Sequence, residues 1–196
     1  MERYNLFQRI IYEDTISSTN SKAKKLLKNI NDNFIIIANK QTNGRGKDLK
    51  NFYSPESVGI YMTLVLRNFK NTMPFISKVT ALAVLKNIKK FTQNVYIKEP
   101  NDILIGNKKV CGILIESSFT GNENLFNYVV VGIGINVNNS DFPFEIQNIA
   151  TSIKCEVGKE IDRNDLIENI ILEFSLLFEN SENWIDKEYR ENLLKN

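Results

Sequence analysis

The sequence contains no histidine, and this absence removes several classes of active site. Catalytic triads that use an imidazole base are excluded, as are zinc and haem centres with histidine ligands. The only two cysteines are Cys111 and Cys155, and two thiols are too few for a structural zinc site. Any catalysis must therefore use lysine, arginine, carboxylates, hydroxyls, a thiol or the backbone.

Long hydrophobic runs and a strong charge imbalance are also absent. No apolar run reaches the roughly 18 residues that a membrane-spanning helix needs, and the N-terminal residues do not resemble a signal peptide. Two distant cysteines are typical of reduced thiols in a cytosolic protein, so we expect a cytoplasmic protein with no membrane partner. The 25 basic and 23 acidic residues give a net charge of +2, which argues against nucleic acid as the main partner.

The apolar residues are numerous enough for one self-sufficient core. They make up 42% of the 196 residues, and no repeat or linker divides the chain, so we expect a single domain over residues 1–196. Apolar patterns predict strands at 8–13, 34–38, 58–66, 94–98, 103–105, 109–117 and 126–136. They predict helices at 20–29, 73–91, 166–178 and 183–194. Strands with interspersed helices and a hairpin predict an α+β fold with a mixed, largely antiparallel sheet flanked by helices.

The polar segment 40–57 is the first candidate site. Within Asn43-Gly-Arg-Gly-Lys47, two glycines permit close backbone approach to a ligand, while Arg45 and Lys47 supply charge for a phosphate or carboxylate. The pattern is neither a Walker A loop nor a dinucleotide fingerprint. A flexible surface loop remains the alternative.

Two further candidates lie where predicted strands begin or end. Lys98-Glu-Pro-Asn-Asp102 places a lysine at a strand end beside two polar side chains, although Asn-Asp after proline is also ordinary turn chemistry. Lys109 begins an apolar strand, and Gly112 leaves room for a ligand or another backbone. The alternative is that Lys109 is an ordinary solvated lysine at the start of the strand, with no ligand.

Six short motifs follow one another along the chain, within a resemblance that extends over about residues 8–190. In chain order they are Ser18-Thr19-Asn20, Gln41-Thr-Asn-Gly-Arg-Gly46, Ser54-Pro55 with Gly59-Ile-Tyr-Met62, Lys98-x-Pro-Asn-Asp102, Lys109-x-x-Gly-Ile-Leu-Ile-Glu116 and Gly132-Ile-Gly-Ile-Asn136. Each is weak alone. Together, in this order, they resemble the catalytic domain of the biotin protein ligases, or biotin–(acetyl-CoA-carboxylase) ligases.

The resemblance implies a fold related to the class II aminoacyl-tRNA synthetase core. It also implies two half-reactions: biotin and Mg²⁺-ATP give biotinyl-AMP, and a specific lysine of a biotin carboxyl carrier protein or domain then accepts the biotin. A homodimer paired through the sheet is compatible with the family. A DNA-binding role is not expected, because no N-terminal helix-turn-helix precedes the first strand.

The resemblance also implies roles for individual residues. Those that match the biotin-binding positions are Ser18, Thr19, Asn20, Gln41, Arg45, Gly46, Lys47, Lys109 and Gly112. Those that match the catalytic positions are Lys98, Lys109, Arg45 and Asp102. Those that match the nucleotide-binding positions are Lys47, Phe52, Asn101 and Asn136. The resemblance identifies no ligands for the metal.

These residue types suit adenylation. A carboxylate must attack a phosphate, both are negative, and cations at Lys98, Lys109 and Arg45 would offset the repulsion. No histidine base is needed, because a carboxylate is already a nucleophile at neutral pH. Asp102 would orient or deprotonate the incoming lysine in the second step.

The sequence departs from the family at two places. We expect no counterpart of the family's small C-terminal β-barrel in this sequence, and without it the closure of the site over ATP would be in doubt. Its loop usually carries more arginine and a tryptophan, where this chain has Lys47 and Phe52. Because lysine holds an anion as a point charge and not as a two-pronged fork, we expect the adenylate to leak.

Three alternatives remain. A lipoate ligase would usually show three consecutive glycines and a histidine, which are absent. An octanoyl transferase needs a reactive cysteine, and Cys111 lies in a predicted apolar strand. A relative that binds biotin or a carrier without chemistry is disfavoured by Lys98 and Lys109.

Overall fold

The computed structural model describes residues 6–47, 50–121 and 125–194. The strands are β1 (Arg9–Ile16), β2 (Phe34–Gln41), β3 (Gly59–Lys70), β4 (Val95–Lys98), β5 (Asp102–Ile105), β6 (Lys108–Phe119) and β7 (Leu125–Asn136). The helices are α1 (Thr19–Leu26), α2 (Met73–Ile88), α3 (Ile153–Val157), α4 (Arg163–Phe178) and α5 (Glu182–Glu191). Every predicted strand and helix is found, with ends shifted by a few residues.

The seven strands form one sheet in the order β1-β2-β3-β7-β6-β5-β4. Strand β1 pairs with β2 in parallel, whereas β2 with β3, β4 with β5, and β5 with β6 pair antiparallel. The turn between β5 and β6 uses Gly106 at a φ of +56°, a conformation that glycine adopts without strain. The predicted α+β class with a mixed, largely antiparallel sheet is confirmed.

The chain forms two compact units, and strands β6 and β7 each contribute to both. The first unit comprises Met1–Met73 and Ile113–Gly134. Its strand β2 is buried from Phe34 to Ala38, as its continuous apolar run predicts for a strand covered on both faces. Ala23 of α1 packs with Phe34, Ile36, Val65 and Val130 in a fully buried cluster.

The second unit comprises Pro74–Gly112 and Ile135–Asn196. Helix α2 is buried along most of its length, and its Phe75 ring meets Phe178 of α4 edge-on, with centroids 5.9 Å apart. The sequence patterns did not predict the short helix α3. Ser152 caps its N-terminus and Gly158 ends it at a φ of +75°, so both end signals were present around a segment too short for periodicity.

Candidate functional site

The start of helix α1 buries three polar residues in the first unit. Ser18, Thr19 and Asn20 are only 3–4% exposed. Ser18 is the N-cap, and its Oγ accepts a hydrogen bond from the Ser21 amide, as expected for a serine before a helix. These three residues were predicted to bind biotin, and the structure places them side by side where a folded chain usually buries apolar groups.

Gln41 ties the end of β2 to this helix start. Its Oε1 accepts from the Thr19 backbone amide at 2.8 Å and from Thr19 Oγ1 at 3.1 Å. Its Nε2 donates to Ser54 Oγ at 3.0 Å, and that hydroxyl donates to the Phe52 carbonyl at 2.9 Å. Gln41 therefore joins helix α1 to the segment that follows the glycine-rich loop, which comprises residues 43–47.

The Asn20 side chain makes three hydrogen bonds. Thr63 Oγ1 donates to its Oδ1 at 2.7 Å, while its Nδ2 donates to the Leu114 carbonyl at 3.3 Å and to Glu116 Oε2 at 3.0 Å. It lies against Gly132, where an added Cβ would fall 2.3 Å from Asn20 Oδ1. The first glycine of the Gly132-Ile-Gly motif is thus required by the asparagine of the first motif.

Arg45 reaches the same region from the loop. Its Nη1 lies 3.2 Å from Glu116 Oε1, and Lys24 Nζ of α1 lies 2.8 Å from the same oxygen. Burial alone would raise the pKa of Glu116, but hydrogen bonds from Lys24 and Asn20 and the charges of Lys24 and Arg45 lower it below its usual value. The carboxylate is therefore ionised at neutral pH between two cations.

The residues on either side of positions 48 and 49 pair antiparallel near Arg45. Arg45 bridges to Asn51, the Gly46 amide donates to the Lys50 carbonyl at 2.7 Å, and the Phe52 amide donates to the Gly44 carbonyl at 2.9 Å. An added Cβ at Gly44 would meet the Phe52 carbonyl oxygen at 2.5 Å, so this position has no room for a side chain. Leu49 lies outside the described residues.

The ring of Phe52 packs on the first unit. Its centroid lies 6.5 Å from that of Tyr61, edge to face. An added Cβ at Gly134 would come within 2.6 Å of the ring, so both glycines of the Gly132-Ile-Gly134 motif make room for a site candidate. The predicted nucleotide roles of Phe52 and Lys47 stay predictions.

The second unit holds the other predicted catalytic residues. Lys98 ends β4 and Asp102 begins β5, and the two residues are paired in register across the hairpin. Lys98 is exposed, and Asn101 lies in the turn between them. Burial, together with the nearby charge of Glu99, raises the pKa of Tyr189 to about 12. Among the described residues Glu99 forms no ion pair with Lys98.

Lys109 is joined to Asp102 by an ion pair, with Nζ 2.6 Å from Oδ1. A register irregularity after Ile103 places Asp102 opposite Gly112 and Leu104 opposite Lys109. On its other side the Lys109 backbone exchanges hydrogen bonds with residues 149 and 151, at 2.8 and 2.9 Å. Lys109 is therefore fixed by its backbone on both sides and by a carboxylate at its tip.

Asn136 and Cys111 are buried in this second unit. Asn136 Nδ2 donates to the Thr151 carbonyl at 3.0 Å, so the amide fastens the segment that follows β7, and its predicted nucleotide role stays a prediction. Burial raises the pKa of the Cys111 thiol far above its usual range. This thiol is therefore protonated and inert, as its apolar strand predicted.

The structure collects the predicted residues in two groups. The first unit holds Ser18, Thr19, Asn20, Gln41, Arg45, Gly46, Lys47 and Phe52. The second unit holds Lys98, Asn101, Asp102, Lys109, Gly112 and Asn136. Sequence reasoning assigned no role to Thr63, which bonds to Asn20, to Glu116, which bonds to Asn20 and Arg45, or to Lys24, which pairs with Glu116. The spacing of Asn20 and Lys24, one helical turn apart, was a usable signal for the lysine.

No group of three or more histidine, cysteine, aspartate or glutamate side chains among the described residues could hold a metal ion. None of the described helices combines the length and the apolar character needed to cross a bilayer.

Residues 12–136 match the biotin/lipoate A/B protein ligase family. The bifunctional ligase/repressor BirA of Bacillus spizizenii is 41% identical over 174 residues, which are 85% of this chain and 53% of that protein. A biotin–(acetyl-CoA-carboxylase) ligase of Paracoccus denitrificans is 31% identical over 159 residues, 77% of this chain and 65% of that protein. The chain thus spans about half the length of the BirA relatives that it matches.

Solved structures give the same result. A biotin protein ligase from Aquifex aeolicus, in complex with biotin and ATP, superposes with a TM-score of 0.81 at 28% identity, covering 96% of this chain and 79% of that one. The family match covers more than half of the residues, and it includes the Ser18 motif, the glycine-rich loop and the strand that carries Lys109. The chain belongs to the biotin/lipoate A/B protein ligase family.

Proposed function

We propose that this chain activates biotin with ATP to biotinyl-AMP and transfers the biotin to a specific lysine of a biotin carboxyl carrier protein or domain. The observation that carries the proposal is the hydrogen-bonded cluster of buried Thr19 and Asn20 with half-buried Gln41, which Glu116 connects to Arg45. Relatives named as biotin ligases, and a similar structure holding biotin and ATP, support it.

The polar cluster suits the neutral, polar ring system of biotin. A urea group offers two donors and one acceptor, and such groups are recognised by fixed hydroxyl and amide partners. Ser18 Oγ accepts from the Ser21 amide, and its own O–H remains a donor for a urea oxygen. Because Gln41 and Asn20 are held by their neighbours, a ligand would meet side chains that need little further ordering.

The cations suit the chemistry of the first half-reaction. Attack of the biotin carboxylate on the α-phosphate of ATP brings two anions together, and it forms an acyl–phosphate bond as the bond to pyrophosphate breaks. We propose that the positive charges of Arg45, Lys98 and Lys109 offset this repulsion. Asp102 holds Lys109 at 2.6 Å and is assigned to the second half-reaction, where an incoming lysine must lose a proton before it attacks.

Mg²⁺ is proposed to enter with ATP. In nucleotide enzymes this ion is commonly bound through substrate phosphates and one or two carboxylates, so the donor set needed from the protein is small. When bound, it would neutralise the leaving pyrophosphate.

The remaining partner proposals follow from charge and from the family. We infer that the described chain does not bind duplex DNA specifically, since its net charge of +2 is nearly balanced. Dimerisation through the sheet and a cytoplasmic location also remain proposals.

Lipoate or octanoate is the competing substrate class, because the matching family is named for lipoate as well as for biotin. A transferase that carries the acyl group on Cys111 is opposed by the burial and protonation of this thiol. A relative that only binds biotin is opposed by the Lys109–Asp102 pair, which a binding role does not need.

The test is ATP–pyrophosphate exchange, run separately with biotin, lipoate and octanoate. We expect exchange with biotin alone. Equal exchange with lipoate would move the chain to the competing class. Biotin binding without exchange with any of the three acids would leave the binding-only relative.

A further inference from the structure

Glu116 closes the motif that begins at Lys109, and the proposed function assigns it no role. It lies in β6 with its side chain 22% exposed. Its Oε1 accepts from Lys24 at 2.8 Å and lies 3.2 Å from Arg45 Nη1, while its Oε2 accepts from Asn20 Nδ2 at 3.0 Å. One carboxylate thus joins helix α1, strand β6 and the glycine-rich loop.

The first consequence concerns the orientation of the Asn20 amide. Thr63 Oγ1 donates to its oxygen, and its nitrogen donates to two acceptors, the Leu114 carbonyl and Glu116. A rotated amide would turn its oxygen toward both acceptors and lose these bonds. Glu116 therefore helps to select one of the two amide orientations.

The second consequence concerns the guanidinium of Arg45. The ion pair with Glu116 runs through Nη1, and within the described ranges no other ion pair of Arg45 is found. A guanidinium carries five N–H donors in a fixed fork, so its Nε and Nη2 can donate to a second anion while Nη1 keeps Glu116. Lys24 balances the remaining charge of the carboxylate.

We propose that Glu116 is a positioning residue, which aims the guanidinium of Arg45 and fixes the amide of Asn20 before an anionic ligand arrives. Ordering these groups in advance removes part of the entropic cost of binding. The ion pair by which Glu116 holds Arg45 does not depend on the identity of the ligand. Its consequence for biotin rests on the proposed function.

The chain offers a matched control. Glu13 of β1 also pairs with a lysine of α1, at 2.7 Å from Lys22, and its side chain is 25% exposed. Glu13→Gln therefore removes a similarly exposed carboxylate that pairs with the same helix, without touching Asn20 or Arg45. Glu116→Gln keeps the size of the side chain and removes its charge.

The first measurement is amide hydrogen exchange in the ligand-free protein. The Gly46 amide, bonded to the Lys50 carbonyl, should exchange about two- to fivefold faster in Glu116→Gln, the factor that a partly exposed charge pair supports. Glu13→Gln should leave it unchanged. Arg45→Gln should speed it equally, and the double variant should exchange no faster than either single one. An unchanged rate in Glu116→Gln, or additive effects, would overturn the proposal.

The second measurement is biotin binding by calorimetry. Glu116→Gln should weaken binding about three- to tenfold, and Glu13→Gln should bind as the wild type does. Faster loop exchange with unchanged biotin affinity would refute positioning of the ligand. If the wild type bound no biotin while the exchange effect persisted, the proposed function would fail and the holding of Arg45 would stand.

Discussion

The start of helix α1 and the hairpin of β4 and β5 present polar residues in opposite ways. At the helix, Thr19 and Asn20 are buried and bonded to their neighbours in several directions. At the hairpin, Lys98 is exposed, and a single ion pair joins Asp102 to Lys109. The first arrangement suits recognition by fixed partners, whereas the second supplies charge.

This contrast leads to different expectations for mutations. A buried polar group whose partner is removed costs folding free energy and ligand affinity together. An exposed lysine that stabilises charge in the transition state costs rate with little effect on stability. Substitutions in the two regions should therefore separate binding from turnover.

The largest effect is expected at Lys98. Lys98→Ala should slow adenylation by roughly 10² to 10³, as the loss of one group that stabilises transition-state charge usually does. Pyrophosphate exchange measures this rate. Lys108→Ala removes another exposed lysine from the hairpin strands and should stay near the wild-type rate. A Lys98→Ala protein with an exchange rate within about threefold of the wild-type rate would show that Lys98 has no part in catalysis.

Asn20 should show the opposite behaviour. Asn20→Ala leaves the buried Thr63 hydroxyl and the Leu114 carbonyl without this partner, which should lower the free energy of unfolding by about 1–3 kcal/mol. Urea denaturation measures the change. Asn180→Ala, which removes an exposed amide bonded to the Leu176 carbonyl, is the control. Equal losses in both variants would remove the distinction between the two regions.

The sequence predicts most of the fold because its strands and long helices carry clear apolar patterns, and its turns carry glycine. Strand β2 shows this as a continuous apolar run, and the turn between β5 and β6 shows it at Gly106. Helix α3, with five residues, is too short for a period and was missed. The resemblance supplied the site candidates, but not the bonds among them.

Those bonds depend on contacts between residues far apart in the chain. Glu116 meets Arg45 and Lys24 across more than 70 positions, and Asn20 needs the space at Gly132. No local pattern encodes such pairs. The sequence motifs therefore point to Asn20 and Gly132, but they do not show that the two residues are in contact.

The glycine-rich loop should give a smaller effect. Arg45→Gly should hasten the release of biotinyl-AMP while leaving some adenylation, and Lys47→Arg should slow release several-fold by adding a forked donor. Stopped-flow measurement of adenylate release tests both, with protease nicking of the loop followed in parallel. Equal nicking with and without ligand, and unaltered release in both variants, would make this a fixed surface loop.

The smallest effect is expected from pH. The pKa of Glu116 is lowered, so its contribution to stability is complete above the usual glutamate value of about 4.3 and is lost as pH falls through the lowered pKa. The groups that face this carboxylate are Lys24, Arg45 and Asn20. Loop exchange, corrected for its intrinsic pH dependence, should therefore rise on acidification in the wild type and stay flat in Glu116→Gln. Identical profiles would contradict the assignment.

The most direct test of the central claim is a competition. The protein would be mixed with Mg²⁺-ATP and equal concentrations of biotin, lipoate and octanoate, then quenched after one turnover, and the acyl-adenylates would be identified by mass spectrometry. The account predicts biotinyl-AMP alone, and its loss in Lys98→Ala. Lipoyl-AMP or octanoyl-AMP in comparable amounts, or no adenylate from a folded protein, would contradict it.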